Sequence, residues 1–173
     1  MVSPFINGKK SVLQHWKDLR SRLTADLSDR EQLEMVIEFW NKAPMLKSFM
    51  DWDHPNNWPG PWEMIAADEY DDSMVSLAMF YSLLLGQDQR WENGRLALVL
   101  LRDQELCVQR LALEIDGEWF MNLEYDRLIG KASGIGRSCI VQQRYSYDGR
   151  SHRMDDDKSF SSKVKTSDNR CHG

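Results

Sequence analysis

Cysteine is scarce and widely spaced in this 173-residue chain: Cys107, Cys139 and Cys171. An odd number with no close pair does not read as a disulfide framework but as reduced thiols of a cytosolic compartment. No histidine lies near Cys107 in sequence. A basic surplus is missing too. Lys and Arg number 22 against 27 Asp and Glu, and the net charge of -5 argues against a nucleic-acid partner. No apolar run approaches the ~18 residues that would span a bilayer, so no membrane association is expected. Met1 to Lys10 lacks the apolar stretch of a secretory signal. The Cys171-His172 pair, with His152 and Asp155-Asp156-Asp157, matches no common zinc spacing. No metal and no cofactor are expected.

Large side chains are plentiful. Seven Trp, nine Met and a 42% hydrophobic fraction provide for one domain with a real core. Val12, Leu13, Trp16, Leu19 and Leu23 form one apolar stripe and predict a helix over about Lys9 to Thr24. Ser28 and Glu31 have the spacing of a capping box and open a second helix, with Leu33, Val36, Ile37 and Trp40 on its buried face and Pro44 stopping it. Residues 51–63 then hold three Trp and three Pro in thirteen positions. So many indoles suit an ordered loop anchored to the core, not a disordered segment. Pro61 suits the first turn of a short helix with Trp62, Ile65 and Ala66 inward. Asp71 or Asp72 caps a central helix lined by Val75, Ala78, Tyr81, Leu84 and Leu85, and Gly86 closes it with positive φ.

After Gly94 the period becomes that of strands. Leu96 to Leu101 is a fully apolar run, Asp103 to Glu105 a turn, and Leu106 to Ile115 a second strand. Asp116-Gly117 marks a two-residue hairpin loop into a third strand, Glu118 to Tyr125. Gly130 to Gly136 is a flexible link, and Ser138 to Tyr145 a fourth strand. The acidic group Asp68, Glu69, Asp71 and Asp72 reads as a solvated helix start, and Gly130 to Ser138 lacks the ending of a phosphate loop. The organisation predicted is N-terminal helices over 1–50, a helix-plus-sheet core over 51–148 in the same compact domain, and a polar tail over 149–173, disordered or ordered by a partner. The fold class is α+β: N-terminal helices and a central helix packed on a small antiparallel sheet.

One stretch carries more than pattern. Trp58-Pro59-Gly60-Pro61-Trp62-Glu63, the turn Tyr70-Asp71-Asp72-Ser73, the strand Gly94-Arg95-Leu96-Ala97-Leu98-Val99 and the hairpin Glu114-Ile115-Asp116-Gly117-Glu118-Trp119 follow one another in order. In that order and spacing, residues 58–124 resemble the bacterial transglutaminase-like cysteine peptidases. The resemblance implies a papain-like core and a Cys-His-Asp site: a thiolate at the start of the central helix, a His on the following strand and an Asp on the next. A two-residue loop pairs Ile115 with Glu118, Leu113 with Phe120 and Leu111 with Asn122. The nucleophile position then falls at Asp72 or Ser73, the His position near Gln109 and the Asp position at Asn122. An amide cannot take the nucleophile's proton as imidazole does. The expectation is a catalytically dead form of the fold with no catalytic residues. The Trp-Pro loop is also similar to small proteins of tailed phages, including cyanophages.

The function this predicts is non-catalytic binding or assembly, with a phage virion component as its specific form. Partners would be other virion proteins or the chain itself, contacted through Trp52, Trp58 and Trp62. Two alternatives stand beside it: a cysteine hydrolase or amidotransferase using Cys107, and a small regulatory protein that binds a host factor.

Overall fold

The computed structural model describes residues 3–6, 8–47, 50–92, 94–124 and 126–156. Two N-terminal helices, α1 (Lys9–Arg22) and α2 (Asp29–Trp40), lead into a one-turn 3-10 helix at Pro55–Asn57, the short α3 (Pro61–Ile65) and the central α4 (Asp72–Leu84). The sheet follows: β1 (Leu96–Asp103), β2 (Val108–Ile115), β3 (Trp119–Glu124), β4 (Arg127–Gly130), a short α5 (Gly134–Ser138), β5 (Cys139–Tyr147) and β6 (His152–Met154). The six strands lie in the order β4-β3-β2-β1-β5-β6, every paired neighbour antiparallel. The α+β class read from the sequence is the observed one.

Local rules explain the helix starts. The Glu31 N–H donates to Ser28 Oγ (3.3 Å) and the Ser28 N–H to Glu31 Oε2 (2.8 Å), the reciprocal capping box. Asp71 caps α4 by accepting from the Met74 N–H at 2.8 Å. The end of α4 departs from expectation. Gly86 does not take positive φ. A Cβ there would meet the Leu83 carbonyl at 3.1 Å and Leu23 Cδ1 at 3.3 Å, so tight packing against the last turn of α4 and Leu23, and not a left-handed turn, favours glycine.

The core lies on one face of the sheet, between the helices and Leu98, Leu111, Leu113, Ile115 and Met121. Trp16 and Trp40, both buried, each donate an indole N–H to Ser82 Oγ at 2.9 Å. The opposite face carries a smaller cluster around Val99, Leu101, Ala112, Phe120, Leu123 and Ile129. There buried Glu114 accepts both guanidinium N–H groups of Arg144, at 2.5 and 3.0 Å.

Several expectations need correction. Ile65 faces inward from α3 as expected, but Trp62 and the C-cap residue Ala66 face outward, and Met64 fills the core beside Ile65. The Asp116-Gly117 turn closes as expected, both residues at positive φ and the Glu118 N–H bonded to the Ile115 carbonyl at 3.0 Å. The ladder partner of Ile115 is nevertheless Trp119, so Glu118 is an extra residue and Leu113 faces Met121, not Phe120. A one-residue slip turns every following side chain to the other face. Residues 127–130 form a strand the sequence did not announce. The supposed flexible link holds α5, where Ser133 Oγ caps the Gly136 N–H at 3.1 Å and a Cβ on Gly136 would sit 2.5 Å from the Gly130 carbonyl. The polar segment after residue 148 is not all tail: β6 pairs with β5, Tyr147 opposite His152. Residues 157–173 of that predicted tail lie outside the described residues.

Candidate functional site

The start of α4 is where the resemblance places the nucleophile, and it is densely bonded. Asp71 is buried under the chain that links α2 to α4, where the Tyr70 N–H reaches the Pro44 carbonyl at 2.9 Å. Burial pushes its carboxyl pKa up, against the pull of three backbone hydrogen bonds. Asp72 keeps solvent contact, yet the protein crowded around its carboxyl also raises that pKa. The Arg110 charge and the Asn122 amide oppose the rise, and Asp71 adds to it. Ser73 is buried, and its Oγ accepts the Trp52 indole N–H at 2.9 Å. Trp52 is held in turn by the Tyr145 hydroxyl, which donates to its carbonyl at 3.0 Å.

Across from the helix, Asn122 has φ 61° in β3. Asparagine tolerates this left-handed conformation better than other side chains that carry a Cβ. The turn of the backbone swings its amide onto α4. Its Nδ2 donates to the Asp72 carbonyl and to Ser76 Oγ, each at 2.8 Å, and Ser76 donates to the Leu111 carbonyl at 2.7 Å. Where the β2–β3 ladder opens beyond Met121, Arg110 donates to the Leu123 carbonyl at 2.7 Å.

The structure therefore joins Asp72, Ser73 and Asn122 and leaves Gln109 out. Gln109 is exposed and donates to Gln142 Oε1 at 2.5 Å, across β1. Cys107 sits in the β1–β2 turn with φ 54° and is disulfide-bonded, which corrects the reading of reduced thiols and leaves no thiolate there for the displaced-cysteine alternative. Of the three tryptophans expected to make contacts, Trp58 is buried with its N–H on the Asp51 carbonyl (2.6 Å), and Trp52 is half-buried on Ser73. Trp62 alone of the three is open, at 59% exposure.

Sequence reasoning missed Ser76 and Arg110 and misplaced His152. Ser76 falls one helical turn after Asp72, a spacing that could have flagged it. Histidine 152, expected in the tail, is buried against Trp58, Phe80, Tyr81 and Tyr147, with ring centroids 4.8–5.9 Å away. Among the described residues neither ring nitrogen has a hydrogen-bond partner, and burial lowers its pKa to about 4. Of the metal set considered above, Asp157, Cys171 and His172 lie outside the described residues. Among the described residues no helix is long and apolar enough to cross a membrane.

Chemically, the α4 start offers carboxyls that hold protons more readily than usual, a serine hydroxyl held by an indole, and an amide bridging helix to sheet. Among the described residues no imidazole bonds to Ser73 to raise its nucleophilicity.

Neither family models nor curated proteins match this chain. Solved structures do. Calcium-bound LapG of Legionella pneumophila aligns at TM-score 0.61 and 14% identity, over 83% of this chain and 78% of LapG. The EGTA-treated form aligns at TM-score 0.60 and 17% identity, over 87% and 83%. LapG is a cysteine protease, and these neighbours correct the expectation that the chain is no enzyme. At such identity they carry the fold alone and show neither a catalytic nor an inert chain. What the comparisons establish is architecture: this chain has a transglutaminase-like fold, the fold of LapG.

Proposed function

We infer that the protein works by binding another protein, with Trp62 as the anchor. The observation that carries this is the setting of Trp62. Its ring is 59% exposed yet held edge-on against buried Trp16, with centroids 5.8 Å apart. The Arg20 guanidinium lies 4.0 Å over Trp16 and 6.0 Å from Trp62. An exposed tryptophan fixed beside an arginine loses little freedom on binding, and these two residue types dominate interface energetics. Apolar Leu85 is exposed nearby, its carbonyl reached by Arg20 at 3.4 Å.

The test is Trp62→Ala, compared with wild type by sedimentation for self-association and by co-purification with partners from the native source. The variant keeps the core intact, so its thermal midpoint should barely move while association falls. Unchanged association sinks the reading. The narrower form, a component of a tailed-phage particle, rests on the Trp-Pro loop and is decided by mass spectrometry of purified particles.

A further inference from the structure

On the sheet face away from α4, the ends of β1 and β3, the starts of β2 and β5, and α5 enclose a cavity of about 360 Å³. Its floor is apolar, made by buried Leu101 and Leu123 with half-buried Cys139. The lip adds two exposed apolar side chains, Leu106 at 70% and Ile135 at 37%. Three carboxylates stand around it, Asp103, Glu105 and Glu124.

Among the described residues the wall carries one cation, Arg110, and it is engaged inward, donating to the Leu123 carbonyl at 2.7 Å. Asp103 gives one oxygen to the Glu105 and Leu106 N–H groups, at 2.9 and 3.1 Å, which leaves its charge at the mouth. Glu124, half-buried, meets the exposed Arg127 at 3.0 Å, and solvent around the arginine weakens the pair. Glu105 makes no ion pair among the described residues. The mouth is therefore negative over an apolar floor.

We propose that this cavity binds a short partner segment that inserts one aliphatic side chain and carries Lys or Arg on either side of it. The sign of the rim excludes nucleic acid and fatty acids, which would bring anionic groups against three carboxylates. A small polar amine would meet the rim and leave the leucine floor wet. An aliphatic residue between two cations satisfies both, and Leu106 provides an outer apolar contact for the segment.

The experiment uses the full chain and three fluorescein-labelled peptides: Gly-Lys-Leu-Lys-Gly, Gly-Glu-Leu-Glu-Gly and Gly-Lys-Ser-Lys-Gly. Anisotropy measures binding, and mass spectrometry follows iodoacetamide alkylation of Cys139. The Lys-Leu-Lys peptide should bind saturably, lose affinity with salt and slow alkylation of Cys139, with the other two about tenfold weaker or worse. Glu105→Lys and Leu106→Ser, both at exposed positions, should each weaken it. Trp62→Ala should leave it unchanged, which separates this site from the anchor proposed above. Equal binding of the three peptides, or binding that leaves Cys139 equally reactive, overturns the proposal. So does a Cys139 that is shielded without peptide and opens only when the chain is cut after Asp156, since that assigns the cavity to the chain's own C-terminal segment.

Discussion

The Nδ2 of Asn122 lies 2.8 Å from the main-chain oxygen of Asp72, so one strand residue holds the first residue of the central helix. The same nitrogen donates to buried Ser76. Asn122→Ala removes both bonds and places an alanine at φ 61°. The lost partners cost roughly 1–3 kcal/mol, and the left-handed backbone adds about 1–2 kcal/mol that glycine escapes. Denaturant melts should rank wild type above Asn122→Gly and Asn122→Ala lowest. If glycine and alanine coincide, the left-handed backbone is not what asparagine provides there.

That asparagine also marks how far the sequence could be read. Its place on the helix face was expected from a two-residue hairpin loop pairing Leu111 with Asn122. The observed ladder is one residue out of that register, which should have turned Asn122 away. The left-handed turn at Asn122 itself reverses the error. Two deviations cancel, and neither is visible in residue types. Gln109 had no such correction: beyond Leu111, the last β2 residue bonded to α4 by Ser76, it finds Gln142. The Ser28–Glu31 box and the Asp71 cap were legible because they are local, each closed within three residues. Strands β4 and β6 were not. Arg127–Gly130 is short, and His152–Met154 is polar in context, so only pairing with β3 and β5 makes them strands. The Trp supply was obvious, but not that two indoles share one serine.

That serine supports the second prediction. Ser82 Oγ accepts from Trp16 and Trp40 and donates to the Ala78 carbonyl at 2.7 Å. Ser82→Ala leaves two buried indole N–H groups without an acceptor, at roughly 1–3 kcal/mol each. A fall in thermal midpoint of about 2–4 °C per kcal/mol is expected for a chain of this size. Ser82→Thr keeps the oxygen and should recover part of the loss. A melt of Ser82→Ala within a degree or so of wild type would show that water reaches those nitrogens.

His152 sets a pH dependence whose direction follows from its cage. The free side chain titrates near 6.5 and the folded one at about 4. Between those values the unfolded chain binds a proton that the native chain refuses. Above pH 6.5 His152 is neutral in both states and costs nothing. As pH falls through that window stability declines, by roughly 3 kcal/mol once below the folded value, at 1.36 kcal/mol per pKa unit. Charged Asp148 draws the pKa back up slightly, and the rings of Trp58, Phe80, Tyr81 and Tyr147 supply no partner for either nitrogen. Asp71 and Asp72 act in the opposite sense, because their raised pKa values favour the folded chain as pH drops. The wild-type curve alone is thus a sum of opposed effects. The informative quantity is the difference between wild type and His152→Phe, which keeps a ring in the cage and removes the proton. Urea melts from pH 7.5 to 4 should show the variant gaining on wild type steadily below pH 6.5. A constant difference across that range would mean that His152 is protonated inside its cage, and that the aromatic faces hold the cation.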